Sequence, residues 1–355
     1  MIPVSAKGIS FRFDPLGGFI RDFTVQDGGL AIAPLHIAPW VTSGETLDPD
    51  TPLHLTGLAG DFFCAPFAQS AAGSPMHGWP ANGIWAVQPG GGMRAVLDHT
   101  VSGATLVKEL SLHDGHPFVY QRHIFTGGAG LIPVANHAMV SLPQGGMLRF
   151  SPKRWFESAA SPPEPDAMRG RSFLAYPARS TDPHKFPLAA GGTVDLTRYP
   201  FGPAQEEFVV GVEAPGHSLG WTAVTRPATG DLYLSLRHAQ KLPMTMLWHS
   251  NGGRDYAPWS GRHRACLGVE EGAALPMLGI GATEMPDPLT AVGQSAGLTL
   301  HPDQTAEVRH VIGALSWPSG EAVASVIASD DTLIISGEGG ARRQVPFDRA
   351  FLADS

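Results

Sequence analysis

The chain has 355 residues, of which 43% are hydrophobic and 16% are charged. This composition excludes intrinsic disorder, which requires low hydrophobicity and high net charge, and a net charge of −8 argues against a nucleic-acid-binding protein. The 43 Gly and 32 Pro residues exclude a fold built on many long helices, because Pro removes a backbone donor and Gly loses more conformational entropy on folding.

The predicted elements are strands along nearly the whole chain. Alternation of apolar and polar residues predicts strands at 9–13 and 19–25. A hairpin is predicted over 105–125, where Asp114-Gly115 is a strong turn signal because Gly adopts positive φ without steric cost. Further strands are predicted at 208–213, 221–226, 231–236, 244–249, 265–270, 306–315, 322–328, 332–336 and 343–347.

This pattern predicts an all-β fold. The sequence shows neither βαβ alternation nor an amphipathic helical stretch of three or more turns, and many short strands between Gly, Pro, Asn and Asp turns are typical of a sandwich or barrel. Residues 151–205 hold nine Pro with little periodicity, and we interpret them as long loops, either functional or a plain surface insertion. No linker divides the chain, so we expect a single domain over residues 1–355.

No stretch of the sequence approaches the ~20 apolar residues that a membrane-spanning helix needs. The first residues lack a basic start followed by an apolar run, so we expect no signal peptide, no membrane association and a cytoplasmic protein.

The two Cys residues, Cys64 and Cys266, form neither a disulfide framework nor a metal-ligand spacing. Two buried thiols are the favoured interpretation, with a bridge between them as the alternative.

The common catalytic signatures for nucleotides, metals and nucleophilic serines are missing from the sequence. Instead, His77, Trp79, Asn82 and Trp85 lie within nine residues of a Gly-rich segment. Trp offers flat apolar faces to the C–H groups of a sugar, and amides and imidazoles hydrogen-bond its hydroxyls. The alternative is a loop whose aromatic residues simply pack.

Two later segments add polar groups to apolar strands. His137 follows Asn136 in one strand, where a structural core histidine is the plainer alternative. Trp248 and His249 end another strand shortly before Arg254. A Glu pair closes a third strand at 270–271, and such a carboxylate is either a solvated strand end or a buried base with a raised pKa.

Taken in order, these segments resemble the aldose 1-epimerase (galactose mutarotase-like) superfamily, and most closely its less-characterised members and the hexose-6-phosphate mutarotase branch. Most of the chain is covered, and a Pro-containing stretch separates the last two motifs. The matching motifs are Cys64-Ala65-Pro66-Phe67, His77-Gly78-Trp79 with Trp85, Asn136-His137, Trp248, Gly268-Val269-Glu270 and Leu298-Thr299-Leu300-His301-Pro302.

The resemblance implies a large antiparallel β-supersandwich with a sugar site on a concave face. It implies that Glu270 is the general base for the anomeric hydroxyl, that His137 is the general acid for the ring oxygen, and that His77 hydrogen-bonds the ring oxygen or a neighbouring hydroxyl. The expected ligand is a monosaccharide or sugar derivative, with no metal or other cofactor, in a monomer or homodimer. Anomer exchange itself needs only such an acid–base pair.

Alternation along the strand separates the two adjacent carboxylates. Leu267, Val269 and Glu271 share one face, whereas Gly268 and Glu270 share the other. Because Gly leaves room beside Glu270, and because the family motif also ends at this residue, we predict that Glu270 is the base.

The sequence also departs from the family pattern. Gly60-Asp61 stands where the family usually carries an Arg, which weakens a sugar-phosphate substrate and leaves Asp61 as a possible hydroxyl acceptor. Arg254, with Arg262 and Arg264, could restore an anion site, although such Arg residues are more often solvated. The predicted substrate-binding residues are Asp61, Trp79, Asn82, Trp248, His249 and Arg254.

Three functions therefore compete. The first is a mutarotase-type isomerase acting on a free sugar or sugar derivative. The second is a non-catalytic carbohydrate-binding protein on the same fold, and the third is a domain related to polysaccharide lyases or glycoside hydrolases. Retention of both His137 and Glu270 favours the first, since a binding protein needs no matched acid and base.

Overall fold

The computed structural model describes residues 1–68, 73–90, 92–274 and 295–353. Most of the Pro-containing stretch that precedes Leu298, residues 275–294, lies outside the described residues.

The described residues form 27 strands and only two α-helices, α1 (Pro39–Ser43) and α2 (Leu53–Thr56), with 3₁₀ turns at Trp79–Ala81 and Arg349–Leu352. The strands of the first half are β1 (Ile2–Ala6), β2 (Ile9–Asp14), β3 (Phe19–Asp27), β4 (Leu30–Ile32), β5 (Asp61–Cys64), β6 (Trp85–Val87), β7 (Met93–Leu97), β8 (Ala104–Ser111), β9 (Phe118–Gly127), β10 (Gly130–Ile132), β11 (Val134–Ser141), β12 (Gly146–Phe150) and β13 (Lys153–Ser158). Those of the second half are β14 (Ala178–Ser180), β15 (Phe186–Pro187), β16 (Thr193–Val194), β17 (Arg198–Tyr199), β18 (Gln205–Glu213), β19 (Leu219–Arg226), β20 (Asp231–His238), β21 (Met244–Asn251), β22 (Cys266–Ala273), β23 (Leu298–Leu300), β24 (Thr305–Ser316), β25 (Val323–Ser329), β26 (Thr332–Gly337) and β27 (Arg342–Pro346).

Two large antiparallel sheets stack face to face. The larger sheet has 11 strands in the order β1-β2-β3-β5-β11-β22-β21-β18-β13-β14, with β4 paired to β3. The smaller sheet has nine strands in the order β17-β12-β19-β20-β24-β9-β8-β7-β6. Strands β25, β26 and β27 form a third sheet, and β10-β23 and β15-β16 are two-stranded. The predicted all-β antiparallel supersandwich is confirmed.

The predicted strands coincide with observed ones because their period of two matches a sheet with one buried face. Strand β2 buries Ile9, Phe11 and Phe13 and turns the residues between them outward. The hairpin at 105–125 forms as β8 and β9, and Gly115 in its turn has a φ of 77°.

The stretch 151–205 is more regular than its composition predicts. Lys153–Ser158 forms β13, which pairs with β18 in the larger sheet, and four strands of two or three residues follow it. Phe156, Leu174 and Phe186 bury a small core there. The prediction of loops alone was therefore wrong for β13, because its Trp-Phe pair packs on both sides of the sheet.

The two faces of the larger sheet have different roles. Its inner face packs against the smaller sheet through a continuous apolar core that includes Leu247, Leu267 and Val269. Its outer face carries a second core that includes Phe62, Met246 and Trp248. Helices α1 and α2 and the loops around them cover this outer face, where Trp40 and Leu55 pack. A cavity lies between these loops and the sheet.

Cys64 and Cys266 are buried free thiols. No helix among the described residues is long and apolar enough to cross a membrane.

Candidate functional site

Two neighbouring strands place a histidine and a glutamate side by side on the outer face. In the antiparallel register of β11 and β22, His137 lies directly opposite Glu270. His137 Nε2 is 3.2 Å from Glu270 Oε1. Both side chains are almost fully buried and both line the cavity. An imidazole and a carboxylate that point the same way from opposed strands form an acid–base pair on its floor.

Gly268 gives the glutamate its room. A Cβ atom at Gly268 would lie 2.7 Å from Glu270 Oε1 and 2.9 Å from Trp248 Cβ. Both contacts are too close for a real side chain, so any larger residue would displace the carboxylate or the indole. The Gly therefore accommodates the site's own side chains.

Aromatic rings form the walls of a cavity of about 790 Å³. Phe62 stacks on His137 with ring centroids 4.5 Å apart, and Trp248 meets His137 edge-on at 5.8 Å. Trp259 contacts Trp248 edge-on, and Phe67 tilts toward His77. Flat apolar walls over a polar floor suit a ligand with both C–H faces and hydroxyl groups.

His77 continues the polar floor beyond His137. The two rings meet edge-on with centroids 5.4 Å apart. His77 adopts a φ of 64°, in a region that residues with a Cβ rarely enter, and such strain is common at functional sites. Its Nδ1 accepts a hydrogen bond of 3.3 Å from the Ala68 backbone N–H. The proton of the neutral ring therefore lies on Nε2, which can donate to a ligand.

His54 of α2 is the next ring in this row, with its centroid 4.9 Å from that of His77. Asn82 fixes its tautomer. The Asn82 amide nitrogen donates to the carbonyls of Met76 and Gly78, so its oxygen faces His54 and accepts from His54 Nδ1 at 3.0 Å. Nε2 of His54 is then a hydrogen-bond acceptor.

Burial sets the charge states on this floor. It raises the pKa of Glu270 well above its usual range and lowers the pKa of His137 to about 3. Burial, and the neighbouring His54 and His137, lower the pKa of His77 well below its usual range. Desolvation disfavours every charged form here, so burial favours a neutral His77 and a His137–Glu270 pair that shares one proton.

Arg254 lines the cavity beside Trp259. Its guanidinium lies 4.6 Å above the Trp259 ring, and Nη1 is 3.4 Å from Glu206 Oε1. Glu206 also accepts hydrogen bonds from Trp248 Nε1 and Ser250 Oγ. The carboxylate therefore fixes the Trp248 indole and neutralises much of the charge of Arg254.

The structure thus brings six of the predicted residues to the site. Glu270, His137, His77, Trp248 and Arg254 line the cavity, and Asn82 supports it from behind through His54.

Three predicted binding residues lie outside this cavity. Asp61 precedes Phe62 in β5 and His249 follows Trp248 in β21, so alternation turns both to the inner face. There Asp61 accepts from Gln121 at 2.5 Å, and His249 stacks on Tyr199. Trp79 stacks on His99 with ring centroids 3.9 Å apart and does not line the cavity. These three assignments are corrected on geometric grounds.

Sequence reasoning missed His54 and the segments that close the cavity. Residues 48–58 and 159–163 supply part of its wall. A His in a four-residue helix carries no periodic signal, and the distance in sequence from Glu270 hides the contact. Only the Pro-rich composition of 151–205 gave a hint that this stretch borders a site.

Among the described residues, the one group of three side chains that could hold a metal ion is His36, His263 and Cys266. This group lies behind the Trp248–Trp259 wall, since His263 stacks on Trp248 with ring centroids 5.4 Å apart. The polar side chains on the floor of the cavity are separate from this group, and they offer hydrogen-bond donors and acceptors at fixed positions.

Comparison with known proteins identifies the fold. No protein-family model and no curated protein matches the sequence. The structure is similar to that of a candidate aldose 1-epimerase from Escherichia coli K12, with a TM-score of 0.57 and 13% identity over 88% of this chain and 98% of that chain. It is also similar to a galactose mutarotase related enzyme from Lactobacillus acidophilus, with a TM-score of 0.52 and 8% identity over 89% of this chain and 98% of that one.

A third similar structure is a TPR-domain containing protein from Parabacteroides distasonis, with a TM-score of 0.52 and 11% identity over 89% of this chain and 47% of that chain. At such low identities the likeness concerns the fold alone. The fold is that of the galactose mutarotase-like β-sandwiches, as the ordered motifs predicted.

Proposed function

We propose that the protein is an aldose 1-epimerase-like isomerase that interconverts the α and β anomers of a free sugar or sugar derivative. The observation that carries this proposal is the His137–Glu270 pair, 3.2 Å apart on the floor of an aromatic-walled cavity. In a cyclic sugar the anomeric oxygen and the ring oxygen are bonded to the same carbon. An acid and a base that act on both must therefore be close neighbours, as these two are.

The reaction follows from the protons that these two side chains can accept and donate. Burial places the single proton of the pair on Glu270, so it first moves across the 3.2 Å to His137 Nε2 and leaves a carboxylate beside an imidazolium. In this form Glu270 accepts the proton of the anomeric hydroxyl while His137 donates its proton to the ring oxygen. The bond between the anomeric carbon and the ring oxygen breaks, and the anomeric carbon becomes a carbonyl. After rotation of the carbonyl, the ring hydroxyl returns its proton to His137, and Glu270 returns its proton to the new anomeric oxygen. Acid–base assistance of this kind is typically worth about 10²–10⁴-fold in rate.

The other cavity groups orient the sugar in this proposal. His77 donates from Nε2, and His54 accepts at Nε2, so the two rings can bond successive hydroxyls with opposite polarity. Phe62 and Trp248 face the C–H groups. Because Glu206 already neutralises much of Arg254, we expect a neutral aldose to bind better than a sugar phosphate.

The proposal is tested by anomer exchange on a panel of free aldoses, uronates and hexose phosphates. Each sugar is dissolved as one anomer, and NMR follows the approach to equilibrium with and without protein. We expect acceleration for at least one neutral aldose. Chemical-shift changes on binding without acceleration for any sugar would instead support a non-catalytic carbohydrate-binding protein.

The pH dependence of the exchange rate is a second prediction. The active pair holds one proton. It loses this proton when the pH rises above the raised pKa of Glu270, and it gains a second proton only when the pH falls to the lowered pKa of His137, about 3. We therefore expect kcat/KM, corrected for the uncatalysed rate, to stay level through mildly acidic pH and to fall on the alkaline side. A rate that rises with pH would mean that a lone carboxylate base controls the reaction.

A further inference from the structure

A second cluster of reactive side chains lies outside the proposed catalytic machinery. His36 comes from the segment between β4 and α1, His263 from the loop before β22, and Cys266 is the first residue of β22. All three are buried, and one ligand atom from each lies within 4.8 Å of the others. His263 and Cys266 lie within one turn of the chain, but His36 is far from both in the sequence, so the sequence alone does not reveal the three as a ligand set.

Each histidine of the cluster has a buried ring nitrogen without a hydrogen-bond partner. Nε2 of His36 and Nε2 of His263 are both buried without one. Buried polar atoms are nearly always hydrogen-bonded in folded proteins, so two such atoms beside one thiol need an explanation. A bound cation would satisfy both.

The hydrogen bonds around His263 leave the lone pair of its neutral ring on Nε2. The Ser250 hydroxyl donates its single proton to Glu206 Oε2 at 3.0 Å. The same hydroxyl is 2.7 Å from His263 Nδ1, and it can only accept there. Nδ1 therefore carries the ring proton, and Nε2 is the bare nitrogen that a metal ion requires.

We propose that His36, His263 and Cys266 bind one thiophilic transition-metal ion of the Cu⁺ or Zn²⁺ class. A thiolate with two imidazoles is the donor set that both ions prefer. Ligand distances of about 2.0–2.1 Å to imidazole and about 2.3 Å to thiolate would draw the three atoms slightly closer together than they are. Binding releases the Cys266 thiol proton to solvent, which leaves a thiolate–metal bond.

Cu⁺ and Zn²⁺ differ in the number of ligands that they require and in the net charge of the resulting site. Cu⁺ is satisfied by three ligands and forms a neutral centre with one thiolate, which suits a buried, tryptophan-lined position. Zn²⁺ requires a fourth ligand, such as a water molecule, and leaves a net positive charge. We therefore expect Cu⁺ to bind more tightly than Zn²⁺.

The position of the cluster gives the ion a structural role. His263 stacks on Trp248 and meets Trp259 edge-on, and these rings form a wall of the sugar cavity. An ion at this position would connect the His36 segment, the loop before β22 and β22 itself. It would act on the wall and take no part in proton transfer.

The test uses the full chain, purified with reductant and stripped of metal by a chelator. The protein is dialysed separately against Cu⁺ under anaerobic reducing conditions and against Zn²⁺, and bound metal is measured by mass spectrometry. We expect one ion per chain and a rise in Tm. Loss of an outer-shell partner typically weakens metal binding about 10–100-fold, so Cys266→Ser, which removes a ligand itself, should weaken it by more than about 100-fold.

Cys64→Ser is the matched control, because Cys64 is the other buried free thiol and lies outside the cluster. It should bind one ion with unchanged affinity. His36→Asn provides a second ligand variant in case Cys266→Ser fails to fold. Binding of neither ion to the wild type, or equal binding by the wild type and both ligand variants, would overturn the proposal.

Discussion

Replacing Glu270 with Gln is expected to lower the anomer-exchange rate by about 10²–10⁴-fold, the usual contribution of a positioned acid or base. The amide has the shape of the carboxylate and can still accept a hydrogen bond from His137 Nε2, but it cannot accept a proton. Because burial already disfavours the charged form of Glu270, the neutral amide should leave the free energy of unfolding unchanged or slightly higher. NMR exchange rates and urea unfolding measure the two effects on the same preparations, and sugar binding should persist.

Glu271→Gln is the matched control for this prediction. Glu271 is the next residue in β22 but lies on the inner face, where it accepts from Thr222 Oγ1 at 2.6 Å and Thr245 Oγ1 at 2.9 Å. The Gln variant should therefore lose stability and keep an exchange rate within a few-fold of wild type, measured well below its unfolding temperature. Equal rate losses in the two variants would contradict the assignment of Glu270 as the base.

Local alternation explains how much of this arrangement the sequence predicts. A strand with a period of two assigns each residue to a face without knowledge of its neighbours, which is why the sequence alone separates Glu270 from Glu271. The same rule distinguishes Trp248 from His249 and Phe62 from Asp61. The assignment of Asp61 and His249 as binding residues ignored that rule. The structure places both on the inner face, where Asp61 contacts Gln121 and His249 contacts Tyr199.

Contacts between distant segments are what the sequence could not supply. The His54 ring reaches the site from a helix of four residues, and its tautomer depends on Asn82, 28 positions away. The His36–His263–Cys266 cluster likewise brings His36 to two residues far along the sequence. Such contacts follow from the way loops pack over the outer face, and no periodicity along one strand encodes that packing.

Arg237→Met is expected to lower the free energy of unfolding by about 3–5 kcal/mol, the usual cost of removing one partner of a buried ion pair. Arg237 is fully buried and pairs with two carboxylates, Glu213 and Glu271, the latter at 2.9 Å. It also donates to the Leu242 carbonyl at 2.9 Å. Met fills much of the space but leaves both carboxylates with fewer partners in a medium that disfavours charge. Urea unfolding at neutral pH measures the loss.

The exposed pair Arg149–Glu338 provides the matched control, because Arg149→Met removes a similar contact of 2.7 Å at the surface. Exposed pairs contribute about 0–1 kcal/mol, so this variant should unfold close to wild type.

The buried network also predicts how the free energy of unfolding changes with pH. Lys153 and Arg237 lower the pKa of Glu213 from 4.5 to about 2. The resulting stabilisation is present above the ordinary pKa and is lost as pH falls between these two values, because the native carboxylate must then be protonated. Arg237→Met should weaken this acid dependence, since Glu213 then loses one of the two cationic groups that lower its pKa, although Lys153, His217 and the Ser151 hydroxyl still contact it. An unchanged acid dependence would mean that the other partners of Glu213 keep it ionised without Arg237, and a variant as stable as wild type would show that the two carboxylates do not need the guanidinium.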